Sequence, residues 1–226
     1  MGLIDEHTAK HVKEELQRMK DPVKLVNFTQ EMECIFCRET RGLLQELAPL
    51  SDKLSLEVYD FISDKEPVQK LGIDKIPATA ILGANDKDYG LRFFGIPAGY
   101  EFRTLIEGII KVSRGDSGLA PGSRTMLKKI DLPICIMVFV TPTCPYCSMV
   151  ATTAFQIAVE SPNISVSIIE SSEFQPLALK YAVLGTPKVV ISDVVEFVGV
   201  LPEEAFINQI QAAYEKLKEK VKKDGS

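Results

Sequence analysis

The chain has 226 residues, 46% hydrophobic and 25% charged, enough apolar material for one large core or two ordinary ones. A formal net charge of -5 with no basic stripe argues against nucleic acid or an anionic membrane as a partner. No run approaches a membrane span, residues 1–19 lack the apolar centre of a signal peptide, and five cysteines do not make a disulfide scaffold, so a cytoplasmic location is expected.

In chain order, the pattern predicts a helix over residues 5–19 with Asp5 as its N-cap. His7 and His11 stand at i, i+4 on it, but no acidic third ligand completes a metal motif, so they are taken as surface histidines. A strand over 22–28 leads to Cys34-Ile35-Phe36-Cys37, followed by a helix over 38–47 that carries Leu43, Leu44 and Leu47 and stops before Pro49. Next come a strand over 54–61, a short helix over 66–71, a strand over 78–82 behind Pro77, a hairpin turn at 84–87 into a strand over 89–94, and a helix over 99–112. Residues 113–122 have no apolar periodicity and several element-breaking types, which reads as a linker.

Beyond the linker the order recurs. A helix from about residue 123 precedes an apolar strand over 134–140, then Thr141-Pro142-Thr143-Cys144-Pro145-Tyr146-Cys147 and its helix. A strand over 164–170, a helix over 174–181, two further strands and a last helix follow; the lysine-rich tail over 216–223 is interleaved with Glu219 and reads as a solvated face. Cys34 and Cys144, Cys37 and Cys147, and Pro77 and Pro187 are each 110 residues apart, while Gly95 and Gly199 are 104 apart because the second hairpin turn is shorter. A length change confined to a turn is what two copies of one unit would show, so the expected division is 1–117 and 118–226.

Each cysteine pair sits where a strand hands over to a helix. A Cys-x-x-Cys spacing puts the sulfurs about one helical turn apart, and unpaired amides at a helix start favour a thiolate on the first cysteine. That is a redox geometry. Two such pairs could instead share a structural zinc, but they are far apart in sequence and each opens a helix rather than a knuckle, so no metal is expected. Cys135, inside an apolar strand, is read as a buried small hydrophobe, and Phe36 and Tyr146 as surface beside the sulfurs.

With these motifs in place, each half resembles a thioredoxin fold, and the whole resembles the two-domain, glutaredoxin-like protein disulfide oxidoreductases of thermophilic archaea and bacteria. The resemblance covers essentially the full length and includes Phe94-Gly95-Ile96-Pro97-Ala98-Gly99 at the end of the first sheet. It implies an α/β protein of two tandem thioredoxin-like units, each a central mixed sheet flanked by helices. It implies that Cys34 and Cys144 attack, that Cys37 and Cys147 resolve, and that Pro77 after Ile76 and Pro187 after Thr186 are cis-prolines that contact substrate. The expected activity is formation, reduction or isomerisation of disulfides in proteins, with protein thiols and disulfides as partners, a thioredoxin reductase as a candidate electron donor and no cofactor beyond the redox-active disulfides. Thermophilic origin is implied by the family alone.

The chain also departs from common thioredoxin patterns. It has no tryptophan, and Glu33 and Thr143 stand where an aromatic usually precedes the first cysteine. The buried acid that thioredoxins keep on the strand entering the site has only Asn27 and Val138 as counterparts, so Asp60 and Glu170 are considered as substitutes for proton transfer. Glu31 and Glu33 disfavour a thiolate at Cys34, while Pro145 pre-sets the helix start after Cys144, so the second site is expected to be the stronger oxidant. Cys-Pro-Tyr-Cys is also a glutaredoxin pattern, which keeps a glutaredoxin-like electron carrier or peroxidase reductant as the alternative. Tandem thioredoxin folds also form the amino-terminal modules of peroxide reductases, but those typically lack cysteines in the first half, against which Cys34 and Cys37 count. A holdase without redox turnover is the reading from a different class.

Overall fold

Apolar runs with period 2 or with both faces apolar become strands, and the stripes between them become helices that cover the sheet. The computed structural model describes residues 2–224. The first half runs α1 (Glu6–Leu16), β1 (Val23–Thr29), α2 (Cys37–Leu47), β2 (Leu54–Asp60), α3 (Lys65–Lys70), β3 (Ala78–Gly83), β4 (Lys87–Phe94) and α4 (Tyr100–Arg114). The second runs α5 (Pro121–Leu127), β5 (Ile134–Val140), α6 (Pro145–Glu160), β6 (Ile164–Glu170), α7 (Gln175–Lys180), β7 (Lys188–Ile191), β8 (Val195–Val198) and α8 (Glu203–Asp224).

The strands form one mixed sheet in the order β2-β1-β3-β4-β6-β5-β7-β8. In each half the strand entering the cysteine pair is central, parallel to one neighbour and antiparallel to the other: β1 between β2 and β3, and β5 between β6 and β7. The expectation of one sheet per unit needs amendment, because β4 pairs in parallel with β6, Leu91 to Phe94 against Val166 to Ile169. Each half would otherwise present an unpaired edge, and joining them satisfies both.

Side-chain alternation sorts the core into two layers. One face, carrying Leu25, Ile81, Phe93, Val138 and Val189, packs under α1, α2, α4, α6 and α8; the other, carrying Val26, Phe28, Ala80, Phe139 and Val190, packs under the short α3 and α7. Burial on both faces explains why the central strands read as continuous apolar runs.

The connection over 113–122 is not a free tether. Helix α4 runs through Arg114, Pro121 takes the first turn of α5, and between them Ser117 donates to Glu160 at 2.6 Å while Gln156 donates to the Ser117 carbonyl at 2.8 Å. Composition showed the lack of a regular element there; it could not show that the polar side chains bond to α6. Among the described residues no helix is long and apolar enough to cross a membrane.

Candidate active sites at two cysteine pairs

Strands β1 and β5 deliver the chain to the same end of the sheet, and α2 and α6 start there. Cys34 and Cys144 are half-buried, while Cys37 and Cys147 lie on the inner faces of their helices with no exposed surface. The first pair is joined as a disulfide and the second is a dithiol. Pro77 and Pro187, both buried, are preceded by cis peptide bonds from the half-buried Ile76 and Thr186.

The two helix starts differ. Pro145 is the first residue of α6, with Cys144 as N-cap, whereas Ile35 and Phe36 form a turn and α2 begins only at Cys37. Proline's fixed φ suits a first helical position and its missing N–H costs nothing there, so the amides of α6 begin immediately after Cys144. The Cys144 thiol donates to the Thr186 carbonyl at 3.6 Å, and the Thr186 and Thr141 hydroxyls bond at 3.1 Å. Burial pushes the Cys147 thiol up to about 12, and the neighbouring Cys144 sulfur adds to the shift.

Exposed apolar side chains surround both pairs: Met32, Ile35 and Phe36 at the first, Tyr146 and Met149 at the second. Tyr100, Arg103 and Glu107 of α4 line a groove with Pro145, Ser148 and Met149 of α6, so the first half contributes one wall beside the second pair. The loop before Cys144 also leans on α4, where the Tyr100 N–H donates to the Pro142 carbonyl at 3.0 Å. Gly99, at φ +60°, permits this approach, since a Cβ there would lie 2.3 Å from the same oxygen.

Three expectations change. Cys135 is exposed: it alternates away from Ile134 and Ile136, and α7, whose neighbourhood packs on Phe139, is too short to cover the far end of β5. Asp60 accepts the Ile62 and Ser63 N–H groups and the Ser63 hydroxyl, bonds that hold its carboxyl below the usual range, and Glu170 accepts the Ser172 and Glu173 N–H groups. Both carboxylates therefore cap the turns after β2 and β6. Glu31, expected to oppose a thiolate at Cys34, is ion-paired with Arg41 at 2.6 Å.

Two further acids were not singled out from the sequence. Glu173 accepts the Ile96 N–H at 2.6 Å across the junction of the halves, and burial raises it to about 7. Glu101, in the first turn of α4, is wholly buried and also raised to about 7 by burial, with the Thr104 hydroxyl pulling weakly the other way. Its one available signal was a lone acid on the 101-105-108-112 stripe of α4. Among the described residues no group of three or more His, Cys, Asp or Glu side chains could hold a metal ion.

This combination of a strand-to-helix Cys-x-x-Cys, a facing cis-proline and a central mixed sheet defines a thioredoxin-fold protein, and the thioredoxin domain family matches residues 134–212. The chain belongs to the thioredoxin-fold proteins. It is 30% identical to a protein disulfide oxidoreductase from Aeropyrum pernix, over 94% of each chain, with a TM-score of 0.88. Its fold also matches the NTD_N/C domain of an alkyl hydroperoxide reductase from Enterococcus faecalis, at 22% identity, 91% and 99% coverage and a TM-score of 0.85. An alkyl hydroperoxide reductase component of Pseudomonas aeruginosa is 25% identical over 84% of this chain, which spans 34% of that relative. The curated relatives it matches are thus about two and a half times its length.

Proposed function

We propose that the chain is a thiol–disulfide oxidoreductase for protein substrates, in which Cys34 and Cys144 attack and Cys37 and Cys147 resolve. The observation that carries this reading is the repetition of one arrangement: a half-buried first cysteine, a fully buried second cysteine and a buried cis-proline entering the next strand. A nucleophile must meet solvent and a resolving thiol must not, which is how the sulfurs are divided here. Ile76 and Thr186, at the rims, offer backbone groups to an extended client segment, and Met32, Ile35, Phe36 and Tyr146 offer apolar contact. The likeness to the Aeropyrum pernix protein supports this class. The same reading takes 1–117 and 118–226 as its units, a cytoplasmic setting and a thioredoxin reductase as electron source.

A second reading, transfer of electrons toward a peroxidase, is favoured by the alkyl hydroperoxide reductase relatives. Insulin reduction and RNase refolding with the purified protein test the first reading. Activity in both, lost when all four paired cysteines become serine, is the expected result. Inactivity in both, with electron transfer to a peroxidase intact, favours the second.

A further inference from the structure

The two cysteine pairs differ in the charge around them. The first has charges of both signs in its own segments: Glu31 and Glu33 before it, Arg38 and Glu39 after Cys37, and Asp74 and Lys75 before Ile76. Around the second, residues 141–159 and 181–187 contain no charged side chain, and Tyr146, Met149 and Leu184 are exposed there. Glu170 and Glu173, just past β6, are turned to backbone N–H groups. The charges in the groove beside Pro145 come instead from the other half, as Arg103 and Glu107 of α4.

Those two residues are not equivalent. Glu107 is mostly covered and faces Arg18, just past α1, at 3.5 Å, so its charge is matched. Arg103 is exposed and has no acidic partner among the described residues, which leaves one unpaired cation in the groove. Tyr100, one turn earlier on α4, and Met149 of α6 add exposed apolar surface to the same groove. The bond from the Tyr100 N–H to the Pro142 carbonyl ties this wall to the loop two residues before Cys144. Sheet order sets the direction: β7, which Pro187 enters, flanks β5 on one side, and β6 and then β4, which leads into α4, flank it on the other. A segment held by the backbone of Thr186 while its sulfur meets Cys144 can therefore cross the start of α6 and reach Arg103. The first pair has no such wall, since α2 packs chiefly on β1, β2 and the turn after it, all in its own half.

We propose that this groove is a specificity subsite of the second cysteine pair, in which Arg103 receives an acidic side chain, and Tyr100 and Met149 an apolar one, from a protein segment whose disulfide Cys144 attacks. This rests on the oxidoreductase reading and adds the client class of its second site. The guanidinium is open to water, so it acts through encounter and weak pairing and its effect falls with salt. The second half alone would lack the preference, because the cation belongs to the first.

The test uses the reduced full chain with one pair disabled, Cys34→Ser/Cys37→Ser or Cys144→Ser/Cys147→Ser. The probe is a short peptide with one internal disulfide flanked by Glu, Gln or Lys. As the peptide disulfide becomes two thiols the remaining protein pair becomes a disulfide, which is followed by acid quench. At the second pair the Glu peptide should react about tenfold faster than the Lys peptide at low ionic strength, and about twofold faster at about 0.5 M salt. Arg103→Lys should keep that order and Arg103→Glu should reverse it, while the ratio at the first pair should not follow Arg103. No preference for the Glu peptide, a ratio unmoved by Arg103→Glu, or equal shifts at both pairs would overturn the proposal. A neutral dipyridyl disulfide separates the two levels of failure. If it is reduced and the peptide ratio is flat, the subsite alone falls; if neither it nor any peptide is reduced, the oxidoreductase reading falls and the subsite with it.

Discussion

Behind Cys37 the sheet carries Asn27 and Thr79 and the helix carries Thr40; behind Cys147 the same places hold Val138, Val189 and Val150. The backbone around the two pairs is the same in kind, down to the cis-proline, yet the positions behind one resolving cysteine are polar while those behind the other belong to the apolar core. Duplicating a fold repeats the positions of sulfurs, because strand and helix geometry sets them. It does not repeat the polarity behind them, which depends on a few interior side chains that can change without disturbing the ladder.

The largest effect expected from this contrast is on stability. Glu101 is raised from 4.5 to about 7 in the folded chain, so the native state keeps a proton that the unfolded chain has lost. Stability therefore falls as pH rises between those values and stays lower above them. Glu101→Gln removes the fall and should be more stable than the parent at pH 8 by about 3 kcal/mol, with a smaller difference below pH 4. Urea unfolding at both pH values checks this, and a variant less stable at pH 8 breaks the contrast.

Second is the rate of resolution. With the second pair alone, the mixed disulfide at Cys144 should resolve about 100-fold more slowly at pH 7 than at pH 9, because burial holds the Cys147 thiol up to about 12 and resolution needs its thiolate. Equal lifetimes at the two pH values in a quench experiment would count against it. A smaller change is expected from Thr40→Val, the residue already present at the matching place in α6: stabilisation of about 1 kcal/mol by thermal unfolding, from loss of an unpartnered hydroxyl.

The smallest concerns surface charge. Because Glu31 is exposed and already paired with Arg41, Glu31→Gln should alter the alkylation rate of Cys34 in the reduced protein by less than about threefold, in line with the small worth of exposed ion pairs. A tenfold change would restore the charge argument as the main source of asymmetry between the sites.

The repeat was legible in the sequence, since the 110-residue offset of cysteines and prolines needs only counting, and strands with both faces apolar announce themselves. The N-cap at Asp5 was also readable, its carboxylate accepting the Thr8 N–H. Glu101 did not stand out because an acid in a first helical turn is ordinary and suits the helix dipole. Its burial comes from the sheet beneath α4 and from α6 beside it, long-range contacts that no local period reports. Cys135 failed for the reverse reason: an apolar run predicts a strand, but which helix reaches over its far end is a matter of helix length in the partner layer.

The pairing of β4 with β6 has a consequence for how such a chain can evolve or be dissected. A cut at 117/118 would pass through a loop, yet it would strip two strands of a neighbour, leaving rows of unpaired amides and carbonyls that invite self-association. It would also part the Ile96 N–H from the Glu173 carboxylate and the Tyr100 N–H from the Pro142 carbonyl. The two halves thus share a seam: an excised half would inherit an adhesive edge, and replacing one half with a foreign thioredoxin would require matching that edge as well as the active site.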